Sequence, residues 1–521
     1  MSIFSQVQLQ RPKHNTFNLS HDRKMSVQFG KLTPILVQET VPNETWHIKS
    51  NQLVRFAPLI APVMHAFNIY THFFFVPNRL LWDNWEDFIT GGEDGTANPA
   101  FPTLTYGSSN FAVGKLPDYL GLPVQQTFET DYQVNALPFS AYQFIYNEYY
   151  RDQNLITEKG YKAVDGNNTG ISTTLQSRAY MHDYFTSCLP FTQKGAEATI
   201  PLGDTADVFF NNPSVPTTVN DTGLTNIPAI YNDIETNNLG GSPTQEMVYD
   251  AGGGTRRTLA VNNSGSLKVN LTTATAATIN DLRNAFRLQE WLEKNARGGS
   301  RYNESILVHF GINAGDARLQ RPEYIGGGST PVQISEVLQT SANTSEPTPQ
   351  GNMAGHGIAM GRNGSVRYKT REHGFIMGIM SVMPKTGYDQ GVPKIYRKFD
   401  KFDYYFPSFA HLGEQPVLNE ELYLNDDAFN QDTFGYLPRY AEYKYIPSSV
   451  HGEFRTTLDF WHLSRQFASR PALNLQFIQM QPDNADRIFA VPEAEDKLYC
   501  YINNQIKAKR PMPYFGTPKG V

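Results

Sequence analysis

Two short basic segments, one near each end of the chain, hold the residues best suited to binding a charged ligand. Their Lys and Arg side chains can neutralise phosphates, and the rings of Phe17, Tyr514 and Phe515 that accompany them can stack on bases. Sequence-tolerant binding of single-stranded nucleic acid requires this combination. The candidate residues facing the nucleic acid are Arg11, Lys13, Arg23, Lys24, Lys507, Lys509 and Arg510.

The distribution of charge supports the same interpretation. The net charge of −6 over 521 residues argues against a generally basic nucleic-acid binder. Residues 1–31 nevertheless carry +4 and residues 497–521 carry +5, which leaves −15 on the remainder. Basic ends on an acidic body indicate one surface facing an anion and another facing solvent. Two solvated tails would explain the distribution equally well.

The sequence lacks recognisable catalytic and cofactor motifs. Gly30-Lys31-Leu32 lacks the Ser or Thr of a phosphate-binding loop. A glycosidase needs two carboxylates set apart across a cleft, which the adjacent acids Glu420-Glu421 do not supply. His373 and His411 are more readily interpreted as structural than as metal ligands. We therefore predict no enzymatic activity, no metal and no cofactor.

Cysteine usage and hydropathy constrain the compartment. Cys188 and Cys500 are the only cysteines, so the chain has no disulfide framework and is compatible with a reducing cytoplasm. The most apolar long window, residues 59–76, is interrupted by Pro62 and His65. We therefore predict no membrane insertion.

The stretch Gly374–Met383 is apolar on both sides of an extended chain, which predicts a strand buried on both faces. One side carries Phe375, Met377, Ile379 and Met383, and the other carries Ile376, Met380 and Val382. The preceding segment, Ser365–Arg371, alternates strictly between the two faces. Val366, Tyr368 and Thr370 share one face, and Arg367, Lys369 and Arg371 share the other. This alternation predicts a half-buried strand whose open face is basic.

Further strands are predicted over residues 33–41, 45–56 and 67–76, with helices over 141–150 and from the capping pattern Thr278-Ile-Asn-Asp281 to Gly298-Gly299. Residues 203–268 are rich in Asn, Thr, Gly, Ser and Pro, which indicates an exposed insertion. An eight-stranded sandwich uses roughly 50–80 residues in strands, leaving several hundred for loops. Covering neighbouring subunits is one role that would account for such loops.

Several motifs, in order along nearly the whole chain, resemble those of the major capsid proteins of small single-stranded DNA phages, the gokushovirus branch of Microviridae. They are Asp281-Leu-Arg-Asn-Ala-Phe286, Ala296-Arg-Gly-Gly-Ser-Arg-Tyr302, Asp316-Ala-Arg-Leu-Gln-Arg-Pro-Glu-Tyr324, Glu372-His-Gly-Phe-Ile-Met-Gly378, Phe409-Ala-His-Leu-Gly-Glu-Gln415, Phe434-Gly-Tyr436, Arg439-Tyr-Ala-Glu-Tyr-Lys-Tyr445 and Arg510-Pro-Met-Pro513.

The resemblance implies a mainly β fold, an eight-stranded antiparallel jelly roll with long loop insertions and a few short helices. Residues 1–521 would form one such domain, with a basic arm (1–31), an extended tail (497–521) and a protrusion near the threefold axes (203–268). The implied function is a T=1 icosahedral shell around circular single-stranded DNA, assembled in the cytoplasm of a host bacterium. Implied partners are further copies of the chain, minor virion proteins and a host-surface receptor bound through the insertion.

A second interpretation of the residues is a β-sandwich carbohydrate-binding protein or glycosidase. The abundant aromatic residues, 28 Tyr and 33 Phe, would then serve as surfaces for sugar rings. The full series of motifs distinguishes the two hypotheses, because a sugar-binding protein has no reason to carry it.

Overall fold

Segments that alternate between apolar and polar residues, and segments that are apolar on both faces, form two main antiparallel sheets. The structure is a computed structural model. It describes residues 13–107, 111–124, 132–196, 279–298, 308, 320–340, 351–362, 364–492 and 495–515, together with four short strands between 208 and 269. Its fold is mainly β with few helices, as predicted.

The strands in chain order are β1 (Asn15–Asn18), β2 (His21–Val27), β3 (Thr33–Thr40), β4 (Thr45–Phe56), β5 (Phe67–Pro77), β6 (Thr103–Thr105), β7 (Gln133–Asn135), β8 (Val208–Phe210), β9 (Val248–Asp250), β10 (Arg256–Thr258), β11 (Leu267–Val269), β12 (Glu323–Pro331), β13 (Gln333–Leu338), β14 (Met353–Arg362), β15 (Val366–Lys369), β16 (Gly374–Pro384), β17 (Glu414–Leu418), β18 (Thr433–Pro438) and β19 (Leu498–Arg510). The α-helices are α1 (Asn78–Leu81), α2 (Trp85–Thr90), α3 (Leu116–Leu120), α4 (Leu137–Ile145), which continues as a π turn over Tyr146–Tyr150, α5 (Ile279–Gly298), α6 (Asn419–Leu422) and α7 (Leu475–Ile478).

The larger sheet has seven strands, with β4 and β19 paired along most of their length at its centre. On one side of this pair, β14 and β15 both pair with β4, and β13 pairs with β14. On the other side, β1 and β2 both pair with β19. The smaller sheet has four strands in the order β12-β5-β16-β3.

The two sheets share a hydrophobic core and so form a sandwich. Ile48, Val54 and Ile502 of the larger sheet belong to the same buried cluster as Phe73 and Ile376 of the smaller one. Several polar side chains that hydrogen-bond to one another lie within this core. Because their donors and acceptors are paired, their burial does not carry the cost of unmade hydrogen bonds. Between the two sheets, Thr71 Oγ1 donates to Gln52 Oε1 (3.1 Å) and Gln52 Nε2 donates to Thr330 Oγ1 (2.9 Å), and within the larger sheet Ser50 Oγ donates to Asn504 Oδ1 (3.0 Å).

The strand β16 is buried along its whole length, which confirms the prediction from its apolar pattern. Ile376 and Met380 pack into the sandwich core, while Phe375 and Met377 pack with the side chains of α4 on the other side of the smaller sheet. Met383, at the end of the strand, packs with the first group and not with the second as its spacing suggested. The side chains of α4 therefore cover the face of the smaller sheet that points away from the sandwich core.

The chain divides into two compact units, Met1–Thr192 with Asn295–Val521, and Gln193–Lys294. The first contains both main sheets. The second contains the antiparallel pairs β8–β11 and β9–β10 and most of α5. The predicted insertion, residues 203–268, lies in the second unit, and apart from these short strands it falls outside the described residues.

Both chain ends were predicted to be an arm and a tail, and the structure differs at each. Residues 15–18 and 21–27 are strands, and Leu498–Arg510 is a 13-residue strand at the centre of the larger sheet. The physical reason is alternation: Leu498, Cys500 and Ile502 are all buried against the core.

Candidate nucleic-acid interface

The outward side of the larger sheet is a candidate binding surface, and we call it the open face. Along β4 the side chains from Trp46 to Phe56 are buried at every second position, so the residues between them point away from the core. Strand β19 alternates in the same way, with the side chains from Tyr499 to Lys509 on the open face.

Basic side chains dominate the open face. By register and alternation, those on it are Lys24, His47, Lys49, Arg55, His356, Arg362, Arg367, Lys369, Lys507 and Lys509. Asp22 is the carboxylate on the same strands and face, and it is already engaged. Asn503 Nδ2 donates to Asp22 Oδ1 at 2.5 Å, and hydrogen bonds from Asn503 and then Tyr501 lower the pKa of Asp22. The face therefore carries an excess of positive charge.

The register places these charges in rows across three strands. Arg367 and Lys507 both lie opposite His47, and Lys369 and Lys509 both lie opposite Thr45. Neighbouring strands are about 4.8 Å apart, so each pair of flanking cations is separated by about 10 Å at the backbone.

Within the described part of the chain, this arrangement has little internal compensation beyond Asp22. Like charges facing each other across strands destabilise a sheet. The ion pairs formed among the described residues do not include any basic side chain of the open face. A polyanion bound along the rows would relieve the repulsion.

Aromatic and apolar side chains lie beside the charges. Tyr499 and Tyr501 are exposed on β19, and Leu53 of β4 lies opposite Tyr501. Together with Lys24 and Arg55 they line a shallow depression of about 440 Å³. Exposed rings set among cations are the elements that stack bases and track the backbone of a single strand.

The structure separates the predicted DNA-facing residues into two groups. Lys24, Lys507 and Lys509 are exposed on the open face. Lys13 is exposed just before β1, and Arg11 lies outside the described residues. The remaining two predicted residues, Arg23 and Arg510, point to the core side of the sheet.

Arg23 and Arg510 both make contacts within the protein. Arg23 Nη1 donates to the backbone oxygens of Pro34 (3.2 Å) and Tyr119 (3.0 Å), and burial lowers the pKa of Arg23. Arg510 Nε lies 2.8 Å from Oε1 of the fully buried Glu44. Both arginines follow the alternation of their strands, so they hold the fold together and do not join the candidate interface.

Most of the basic residues that β4 and β14 place on the open face were not predicted from the sequence. It did identify Arg367 and Lys369 as a basic strand face but did not connect them with the chain ends. The signal for β4 was present, because His47, Lys49 and Arg55 occupy alternate positions opposite a buried row. The register that joins these residues to Lys507 and Lys509 is set by pairing between distant strands, which a local pattern does not show.

Other types of site find little support. Among the described residues, groups of three or more His, Cys, Asp or Glu side chains close enough to hold a metal ion are absent. His373 contacts the ring of Trp85, with centroids 5.9 Å apart. Cys188 and Cys500 are both buried and free. None of the helices in the described part of the chain is long and apolar enough to cross a membrane.

The geometry defines a β-sandwich protein with a broad basic face, and comparison with known proteins gives the family. The chain belongs to the family described as capsid protein (F protein), whose model matches residues 5–519. The predicted resemblance to gokushovirus major capsid proteins is thereby confirmed.

Three relatives show how far the similarity extends. The chain is 36% identical to the capsid protein VP1 of Chlamydia phage 1, over 99% of this chain and 97% of the relative. It is 35% identical to the capsid protein VP1 of Bdellovibrio phage phiMH2K, again over 99% and 97%. Identity to the capsid protein VP1 of Spiroplasma virus 4 is 32%, over 96% and 94%. The likeness therefore covers nearly the full length of all three.

Proposed function

We propose that this chain is the major capsid subunit of a small phage, that its sandwich is a jelly roll, and that copies of it form a T=1 icosahedral shell around circular single-stranded DNA. In this arrangement the open face lines the interior of the shell. The single observation that carries the proposal is the basic face, whose cations form no ion pair among the described residues, in a chain of a capsid protein family.

The geometry of the face suits a single strand better than a duplex. Its cations lie in rows on a sheet beside exposed Tyr499 and Tyr501, so bases released from pairing can stack while phosphates meet Lys and Arg. Lys24 and Arg55 border the same depression. Recognition of this kind is tolerant of sequence, as a protein that encloses a whole genome requires.

The second compact unit, Gln193–Lys294, supports a separate role for the predicted insertion. We propose that residues 203–268 form the protrusion near the threefold axes and contact the host-surface receptor. Minor virion proteins complete the particle, and assembly takes place in the cytoplasm of the host bacterium. The buried free thiols of Cys188 and Cys500 are compatible with that compartment.

Expression of the chain followed by electron microscopy tests the proposal. The expected result is uniform icosahedral shells of 60 copies, the number that defines T=1. A subunit that stays monomeric under all assembly conditions and instead binds or cleaves members of a glycan panel would contradict it in favour of the carbohydrate-binding hypothesis.

A further inference from the structure

In the segment from Lys394 to Phe409, three basic side chains pair with carboxylates beneath the segment, while most of its aromatic rings are exposed. Lys394 Nζ lies 3.1 Å from Glu421 Oε1, and Arg397 Nε lies 2.6 Å from Glu420 Oε1. Both carboxylates are buried. A surface loop ordinarily directs its charged groups to solvent, because burying a charge is costly even when it is paired.

Lys398 makes the third contact of this kind. Its Nζ lies 3.1 Å from Glu442 Oε1, and the two side chains are only 5% and 7% exposed. The same ammonium lies 3.8 Å from the centre of the Tyr443 ring. Lys394, Arg397 and Lys398 therefore fasten the segment to the chain beneath.

The rings of the same segment face solvent. Phe399 is 78% exposed and Tyr396 is 68% exposed, which is unusual for side chains of this size. We define the aromatic platform as Tyr396, Phe399, Phe402, Tyr404, Tyr405 and Phe406.

The aromatic platform is held in place by contacts within the chain. Ring centroids lie 5.0 Å apart between Tyr405 and Tyr440, and 5.8 Å apart between Phe402 and Phe409. Asp403 Oδ2 accepts a hydrogen bond from the backbone nitrogen of Phe399 at 2.9 Å. A surface ordered in advance gives up little conformational entropy when a partner binds.

The exposed area matches what an association between subunits needs. Six rings of about 200 Å² each, roughly half exposed or more, present about 700 Å². The largest apolar patch of an ordinary monomer is about 300–600 Å², and a standard interface buries about 800 Å² from each partner. Leaving this much aromatic surface in water would favour aggregation.

We propose that the aromatic platform is a contact surface for a second copy of this chain in the assembled shell. The inference rests on the proposed function, because a closed shell surrounds every subunit with identical copies. The buried ion pairs preorganise the rings, and the rings bury their exposed area against the neighbouring subunit. Aromatic anchors at the centre of an interface commonly provide most of its binding energy.

A pair of double variants tests the proposal. Tyr396→Ser with Phe399→Ser removes the two most exposed rings of the aromatic platform, and Ile60→Ser with Met64→Ser removes exposed apolar side chains elsewhere. The first variant is expected to keep the unfolding temperature of the free subunit while the yield of shells falls at least tenfold. The control variant and the conservative Tyr396→Phe are expected to assemble normally.

A second measurement uses the unaltered chain, so it does not depend on how a variant folds. Hydroxyl-radical footprinting of free subunits and of assembled shells is expected to show at least fivefold protection of Tyr396 and Phe399 on assembly. Equal oxidation in both states, or normal shells from the platform variant, would overturn the proposal. So would loss of glycan binding in that variant while assembly is unchanged.

Failure of this inference and failure of the proposed function give different results. If the unaltered chain forms no shells, the capsid proposal itself is wrong. If the unaltered chain and the platform variant assemble equally well, only the assignment of the aromatic platform is wrong.

Discussion

Lys507 and Arg367 lie on opposite sides of His47, each directly across from it in the neighbouring strand. The two residues are far apart in the sequence, yet they extend one row of positive charge across the open face of the larger sheet. Such a row opposes folding through like-charge repulsion unless an anion compensates it. This relationship connects the fold with the proposed enclosure of DNA.

Replacing Lys507 and Lys509 with Ser is expected to reduce DNA binding without altering shell geometry, because both side chains are exposed and outside the core. For dispersed subunits and an oligothymidine probe, the slope of log K against log salt should fall by about 0.7 for each phosphate that is no longer neutralised, or about 1.4 for the double variant. Fluorescence polarisation over a salt series measures this slope.

The control for that experiment removes the same charge from exposed lysines elsewhere, with Lys162→Ser and Lys444→Ser. The control is expected to retain the slope and the amount of packaged DNA. Equal losses in both variants would show that net charge, and not the open face, determines binding.

Replacing Arg510 with Ser is expected to lower stability, whereas Lys509 beside it is exposed and its replacement is expected to leave stability unchanged. The substitution leaves Glu44 buried without its cation, and burial already raises the pKa of Glu44. Removing one partner of a buried ion pair costs about 3 kcal/mol. Chemical denaturation of the free subunit measures this decrease. Adding Glu44→Gln should restore part of the stability, and a fully stable Arg510→Ser variant would refute the structural role.

Stability is expected to fall as the pH drops from about 6.5 to about 4. Burial first, and then the charge of Arg178, lower the pKa of His72 to about 4. Burial likewise lowers the pKa of His65 to about 4. The unfolded chain therefore binds protons in this window that the folded chain excludes, so the stabilisation is complete above the unfolded pKa and is lost as the pH falls through the folded value.

Each of these histidines contributes roughly 2–3 kcal/mol to the full change. His72→Gln and His65→Gln should each make unfolding less dependent on pH across the window. The measurement is the free energy of unfolding at a series of pH values. Variants that keep the whole pH dependence of the unaltered chain would contradict the assignment.

Replacing Gly378 with Ala is expected to destabilise the smaller sheet. A Cβ at this position would lie 2.8 Å from Phe73 Cε1 and 3.1 Å from Leu36 Cβ, in the neighbouring strands on each side. Overpacking of this kind costs about 1–3 kcal/mol. Gly364→Ala is the matched control, because nothing lies within 4 Å of its added Cβ. Thermal unfolding that is equal in the two variants would refute the prediction.

The sequence predicted well those features that depend on local pattern. The two apolar faces of Gly374–Pro384 identified a buried strand, and the alternation around Val366 identified a one-sided strand. It did not show that these consecutive strands belong to different sheets. Nor did it show that α4, from far earlier in the chain, covers the outer side of β16.

The candidate site was only partly predictable, because it depends on pairing between distant strands. Lys509 and Arg510 are adjacent in sequence and equal in charge, yet one faces out and the other pairs with Glu44 in the core. From the sequence, both residues were predicted to belong to a basic tail. Only their position in a strand that pairs with β4, some 450 residues earlier, separates their roles.

A cryo-electron microscopy reconstruction of assembled particles tests the central claim most directly. We predict a T=1 shell in which the open face lines the interior, with nucleic-acid density against Lys507, Lys509 and Arg367. A shell with the open face on its outer surface, away from the genome, would contradict the account.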